Sequence, residues 1–303
     1  MEKVPGKCLA DAWRGMEYEA KERLVRQMAS YSSELFRNQL RGIGNIYPDL
    51  SSPHSSAPPE VKRIVSMQFL WGNHIMRQDV RRGPFHSSKA WVSSLLSLSE
   101  HDCIGVLNSS GGIKDSDIED AERTLRIVRR LKSHIIEFFP NDECGQGEDP
   151  EPSMLYHDDL SMRNILVNEK GDLAGVVDWE YVSALPLWKA CYYPFFLQRR
   201  PRNDKPDRNK YRQEEDGNPN SLYWEHLMEY ERTKLRRYFL DEMRRLEPKW
   251  IKVFDSSTAK RDFYLAAENC DNEFLARDIT EWRDDVSARR GIVRSLRDRF
   301  DES

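Results

Sequence analysis

The sequence predicts an α+β protein that is mainly helical and built around one small β-hairpin. Three observations predict it. Several long stretches carry apolar residues at steps of three and four, the mark of amphipathic helices. Between residues 153 and 177 this spacing gives way to short β-type runs joined by a glycine turn. The composition, 39% hydrophobic with 12 Phe, 12 Tyr and 8 Trp, supplies bulky core material, and charged residues reach 32% against about 25% in an average domain. A disordered chain would lack those aromatics.

The first helix is expected from about Glu17 to Leu40, where Leu24, Met28, Tyr31 and Leu35 form one stripe with Val25, Ala29 and Phe36 beside it. Gly42–Tyr47 and the apolar run Val61–Leu70 read as two short strands flanking a loop rich in Ser and Pro, Pro48–Pro59. Ser87–Leu107 reads as a helix. Asp117–Phe139 does so more strongly, through Ile118, Ala121, Leu125, Val128, Leu131, Ile135 and Phe138. Asn141–Pro152 is a connecting loop. Met154–Tyr156 is a brief strand, and Ile165–Val167 and Leu173–Val177 form a hairpin across Asn168-Glu169-Lys170-Gly171. The apolar stretch Tyr181–Leu197 is expected to be a buried helix pair. After a charged loop, Arg199–Asn220, three more helices are expected over Leu222–Leu246, Ala259–Ala276 and Asp278–Phe300.

The 303 residues suffice for a sizeable core. With 47 Lys and Arg against 51 Asp and Glu, the net charge of −4 argues against a nucleic-acid binder. Cys8, Cys103, Cys144, Cys191 and Cys270 are odd in number, scattered, and form no C-x-x-C pair, which points to a reducing compartment, the cytoplasm. Residues 1–7 have no apolar core of a secretory signal, and the 17-residue stretch Tyr181–Leu197 is broken by Pro186, Lys189 and Pro194, so no membrane span is expected. Apart from His157, the histidines form no ligand-spaced cluster, and no zinc site is expected.

Chemistry concentrates in His157-Asp158-Asp159-Leu160-Ser161-Met162-Arg163-Asn164, an H-x-D-x-x-x-x-N segment, with Asp178 14 residues beyond Asn164. Phosphoryl transfer depends on positioning and charge neutralisation, because the transferring group spreads charge over its equatorial oxygens. It needs a carboxylate to take the attacking hydroxyl's proton and hard oxygen ligands for Mg²⁺. Asn164 enters the first hairpin strand and Asp178 leaves the second, so both should lie at the open end opposite Gly171. Asp159 should sit beside them, facing a substrate alcohol.

The segments LYHDDLSMRNILVNEKGDLAGVVDWEYVSALPLW, MEKVPG and IVSMQFLWG resemble the aminoglycoside phosphotransferase family, in particular its fungal branch, whose fold is similar to that of protein kinases and choline kinases. The resemblance covers nearly the whole chain and is most specific around the hairpin. It implies a protein-kinase-like C-terminal lobe over residues 17–303, and a linker over residues 1–16 resembling the hinge between lobes. It implies that Asp159 is the catalytic base, that His157 braces the catalytic loop, and that Asn164 and Asp178 hold Mg²⁺. Asp178-Trp179-Glu180 stands where protein kinases carry Asp-Phe-Gly. Glu2 and Lys3 in the linker, with Asn164 and Asp178, would contact ATP, and Glu180 a cationic substrate group.

The same family has an N-terminal lobe with a glycine-rich loop and an ATP-contacting lysine. No such segment is found here, and the chain is expected to start where the second lobe begins, as a catalytic lobe cut at the linker. The function expected is ATP-dependent phosphorylation of a small-molecule hydroxyl, with activity of the lobe alone in question. The other class weighed is a pseudokinase-like binding or scaffold protein. Self-association is expected through the face around Met1–Gly6 and the hairpin, exposed in the absence of a first lobe.

Overall fold

The computed structural model describes residues 4–47, 60–71, 74–109, 111–112, 114–140, 149–180, 182–215, 217–288 and 293–301. Glu2, Lys3, Cys144 and the loop residues 48–59 and 141–148 lie outside the described residues. In chain order the elements are β1 (Lys7–Cys8), α1 (Leu9–Ala12), α2 (Tyr18–Arg37), β2 (Leu40–Arg41), β3 (Gly44–Tyr47), β4 (Glu60–Val61), α3 (Met67–Leu70), α4 (Ser88–Leu107) and α5 (Asp115–Phe138). There follow β5 (Pro152–Tyr156), β6 (Ile165–Val167), β7 (Leu173–Val176), β8 (Ser183–Pro186), α6 (Leu187–Ala190), α7 (Ser221–Leu246), α8 (Pro248–Ser256), α9 (Thr258–Glu268), α10 (Ala276–Ser287) and α11 (Leu296–Phe300). Helices take up 56% of the chain and strands 11%, so the molecule is α+β and mainly helical. No helix among the described residues is long and apolar enough to cross a membrane.

The described residues fall into two compact units, the first drawn from Met1–Asn38, His157–Glu180 and Cys191–Phe254, the second from Gln39–Tyr156, Tyr181–Ala190 and Asp255–Ser303. In the first unit, α2 buries Leu24, Val25, Met28, Ala29 and Phe36, the stripe its 3.6-residue period dictates. Each of these side chains except Ala29 contributes about 1.5–3 kcal/mol on leaving water. The helix packs on α7. Lys21, 4% exposed, pairs with Glu231 at 2.8 Å, and Arg37 bonds both Glu247 and the Leu246 carbonyl. The helix ends at Asn38, whose side-chain amide donates to the Glu34 carbonyl at 2.8 Å and satisfies a terminal acceptor. Residues 7–15, within the segment expected to be a linker, form β1, α1 and a 3-10 turn; β1 is the third strand of a sheet ordered β1-β6-β7.

The second unit holds a five-stranded antiparallel sheet ordered β2-β5-β8-β3-β4. Its central strand, β8, corrects the expected buried helix pair over 181–197: Ser183–Pro186 is a strand with every residue buried, followed by the single helical turn α6 and a 3-10 turn, Phe195–Leu197. A short apolar run carries no period by which helix and strand can be told apart. Pro186 closes the strand opposite Ser153. The run Val61–Leu70 is also corrected: only Glu60–Val61 pairs, with Ile46 and Tyr47, and the rest turns into α3. Asn45, 7% exposed, ties these pieces together by donating to the Val182 carbonyl at 3.0 Å and accepting from Val65 N at 2.6 Å and Ser183 Oγ at 3.2 Å. Gly44 is needed there because a Cβ would lie 1.8 Å from the Lys62 carbonyl oxygen.

Helices α4, α5, α9 and α10 of this unit enclose an aromatic core, with Phe138 against Phe263 and Trp282 at ring-centroid distances of 4.6 and 5.8 Å. Trp91, Trp188 and Tyr264 form a second group. The helices expected over 259–276 and 278–300 are shorter than the apolar spacing implies. Asn269 and Asn272 bond the backbone at Leu265 and Phe274 and break the first, and Ser295 caps a separate α11 by accepting from Asp298 N.

Candidate active site

The site is built on the β6–β7 hairpin of the first unit. Asn168 shapes the turn: its side-chain oxygen accepts from the backbone N–H groups of Lys170 and Asp172 at 2.9 and 3.0 Å. Gly171 follows with φ +80°, a conformation other residues adopt at a cost. Helix α2 grips the turn, Gln27 accepting from Leu173 N at 2.8 Å and Arg23 donating to the Lys170 carbonyl at 2.9 Å. At the other end the ladder continues one step past the strands, through Val177 N to the Asn164 carbonyl at 2.9 Å. Asn164 and Asp178 therefore meet at the open end of the hairpin, as the sequence predicts.

Asp178 stands at φ +67° and is the one non-glycine residue with positive φ among the described residues. Such backbone costs on the order of 1–3 kcal/mol and persists only where surrounding bonds impose it. Those bonds are present. The buried His157 ring meets the Val177 carbonyl through Nε2 at 2.9 Å, so Nε2 carries the proton. Trp179 Nε1 donates to the Val176 carbonyl at 2.8 Å, and its ring packs edge-on against His157 at 5.3 Å and Tyr31 at 6.3 Å. The residues before and after Asp178 are thus fixed, and its carboxylate is exposed between them.

Residues 157–164 are held almost carbonyl by carbonyl. Leu160 and Met162 point inward and are buried, while Asp158, Asp159 and Arg163 are exposed. The Leu160 carbonyl accepts from Phe196 N at 3.0 Å, that of Ser161 from Asn164 N at 3.1 Å, and that of Met162 from Ala10 N at 3.1 Å and Cys8 Sγ at 3.3 Å. The Asn164 side chain completes the set. Its Nδ2 donates to the Asp159 carbonyl at 2.8 Å, to Asp159 Oδ2 at 3.0 Å and, at the longest reach, to Asp178 Oδ2 at 3.4 Å. One amide bridges two carboxylates that would otherwise repel each other.

Asp159, Asn164 and Asp178 are therefore brought together, with His157 behind them. Glu180 is exposed, two residues past Asp178, and makes no ion pair among the described residues. The places expected for Glu2 and Lys3 lie outside the described residues. No group of three or more His, Cys, Asp and Glu among the described residues could hold a metal. The pair named for Mg²⁺, one carboxylate and one amide, fits that ion by donor chemistry: Mg²⁺ takes one or two carboxylates and completes its shell with water and phosphate oxygens.

Three supporting groups have no local signal in the sequence. The Val177 carbonyl acts through its backbone, not its side chain. Tyr31, on α2, packs on Trp179, and burial pushes its hydroxyl up to about 12. Arg232, on α7 and 8% exposed, reaches Met162 Sδ beneath the loop at 3.5 Å; burial first, then Arg199 and Arg236, push its guanidinium down to about 10.

No protein-family model matches the chain, and no solved structure matches it. A stretch of 51 residues is 45% identical to Clavilactone A biosynthesis cluster protein Y of Ampulloclitocybe clavipes; it covers 17% of this chain and 13% of the length of that protein.

Proposed function

We propose that the Asp159–Asn164–Asp178 constellation transfers the γ-phosphoryl group of ATP to the hydroxyl of a small molecule, in a protein-kinase-like C-terminal lobe resembling the aminoglycoside phosphotransferases. The observation that carries this reading is the Asn164 amide within 3.0 Å of Asp159 Oδ2 and 3.4 Å of Asp178 Oδ2. Asp159 accepts the proton of the acceptor hydroxyl as its oxygen forms a bond to the γ-phosphorus. The bond from that phosphorus to the β–γ bridging oxygen breaks, and ADP leaves with the electron pair. Asn164 and Asp178 are the residues that would hold Mg²⁺, which supplies neutralisation of phosphate charge. His157 keeps Asp178 in register through the Val177 carbonyl, and Glu180 is available to a cationic part of the acceptor.

A small-molecule acceptor agrees with the name of the partial relative, which assigns that protein to a biosynthesis cluster. A cytoplasmic setting is supported by the odd number and wide scatter of the five cysteines, which form no C-x-x-C pair. Val4 and Trp179, 40% and 42% exposed, are apolar side chains through which the protein would self-associate. Calorimetric titration with ATP, with and without Mg²⁺, tests the reading on the protein expressed from its natural transcript. Mg²⁺-dependent binding that Asp178→Asn weakens at least about tenfold, or ~1.4 kcal/mol, is expected. Binding indifferent to Mg²⁺ and to Asp178→Asn would leave a scaffold protein as the better description.

A further inference from the structure

The second unit contains a cavity of about 280 Å³ between α3, α4 and the end of α9, close to the lower limit of ~300 Å³ for small-molecule pockets. Its apolar wall comes from Leu95 and Leu98 of α4, 7% and 2% exposed, together with Ala267. Met67 and Trp71 line the same cavity yet remain 50% and 71% exposed. Apolar side chains left this open beside a concave site mark a binding surface.

The polar lining is formed by Gln68, His74, Ser99, Glu268 and Asp271. Both ring nitrogens of His74 are already engaged, Nδ1 with the Gln68 carbonyl at 2.7 Å and Nε2 with the Asp102 carboxylate at 2.5 Å. Gln68 Nε2 donates to Glu268 Oε1 at 3.1 Å, a neutral partner that leaves the carboxylate charge uncompensated. Neither Glu268 nor Asp271 forms an ion pair among the described residues. An apolar wall facing two carboxylates without a cationic partner discriminates against anions through repulsion and favours a ligand that carries one positive charge.

We infer that this cavity binds a small ligand with an apolar or aromatic body and a single protonated amine. The body lies against Leu95, Leu98, Met67 and Trp71, where the indole face also attracts a cation. The ammonium group donates to Glu268 and Asp271. The inference does not depend on the phosphotransferase reading, since every residue it uses belongs to the second unit.

The test uses phenethylamine and phenethyl alcohol, which share a body and differ in charge. Each is titrated calorimetrically into the protein and into the Glu268→Gln/Asp271→Asn double variant, whose altered side chains are not buried. The site predicts saturable binding of the amine with a dissociation constant at least tenfold below that of the alcohol, and loss of that preference in the double variant. Absence of saturable amine binding, equal binding of both compounds, or a preference that survives the double variant would each overturn the inference.

Discussion

The two units solve the same problem, holding side chains in place, with different physics. The second is fixed by apolar contact, in which rings such as Phe138, Phe263 and Trp282 interlock and β8 is buried from end to end. The first places its candidate site groups on a hairpin of two short strands and fixes them by hydrogen bonds to named backbone carbonyls. Packing tolerates no missing volume but is indifferent to proton position. A polar scaffold leaves carboxylates exposed, and each lost donor is felt at one known atom. Groups proposed to meet solvent and substrate must stay accessible, so the polar arrangement suits the hairpin.

The sharpest way to break this contrast is volume. Trp282→Ala, at a residue 1% exposed, should cost about 3–5 kcal/mol, read as a lowered urea midpoint for the second unit. A comparable loss of apolar contact at the exposed Trp179 should cost much less. Equal costs would show that the two units do not differ as described.

Next in size is a charge buried within the apolar unit. Asp262, 5% exposed, has its carboxyl pushed up from 3.8 to about 6, first by burial, although it accepts hydrogen bonds from the backbone N–H groups of Leu296 and Arg297. Because the folded value lies above the unfolded one, the folded state binds more protons between pH ~4 and ~6, and stability falls as pH rises through that window. Asp262→Asn keeps an acceptor for those N–H groups and carries no charge. It should stabilise the protein by on the order of 2–3 kcal/mol above pH ~7 and by almost nothing at pH ~4. A gain independent of pH would contradict the burial argument.

On the hairpin side, His157→Phe removes the donor to the Val177 carbonyl and should cost about 2 kcal/mol. The loss should be local, appearing as faster hydrogen exchange at Val177 and Asp178 with unit-two amides unchanged. The smallest effect is at the turn. Gly171→Ala, at φ +80° and with Met16 Cε 2.9 Å and Ala20 Cβ 3.3 Å from the added Cβ, should cost about 1–2 kcal/mol, mostly from the left-handed backbone, since the methionine end can shift.

The division between what could and could not be read from the sequence follows the same physics. Helices α2, α4, α5 and α7 are visible because a 3.6-residue period is written along a continuous stretch, and the hairpin because Asn168 and Gly171 make their turn locally. Asp159, Asn164 and Asp178 could be named because their spacing around that hairpin fixes where they meet. Strand β8 could not, since Ser183–Pro186 is a strand only by virtue of partners at 44–45 and 153–156. The breaks at Asn269 and Ser295 act against an apolar period that continues across them. The left-handed backbone of Asp178, and the support of Met162 by Arg232 70 residues away, arise from tertiary contacts that no local pattern encodes.

The central claim is that Asp159 takes the proton of an acceptor hydroxyl. It is tested most directly by following γ-phosphate transfer from Mg²⁺·ATP to a panel of hydroxyl-bearing small molecules, using the protein expressed from its natural transcript and its Asp159→Ala variant. A loss of about 10²–10⁴-fold in transfer, with Mg²⁺·ATP affinity retained, is the expected result; transfer by Asp159→Ala at the unaltered protein's rate would contradict it.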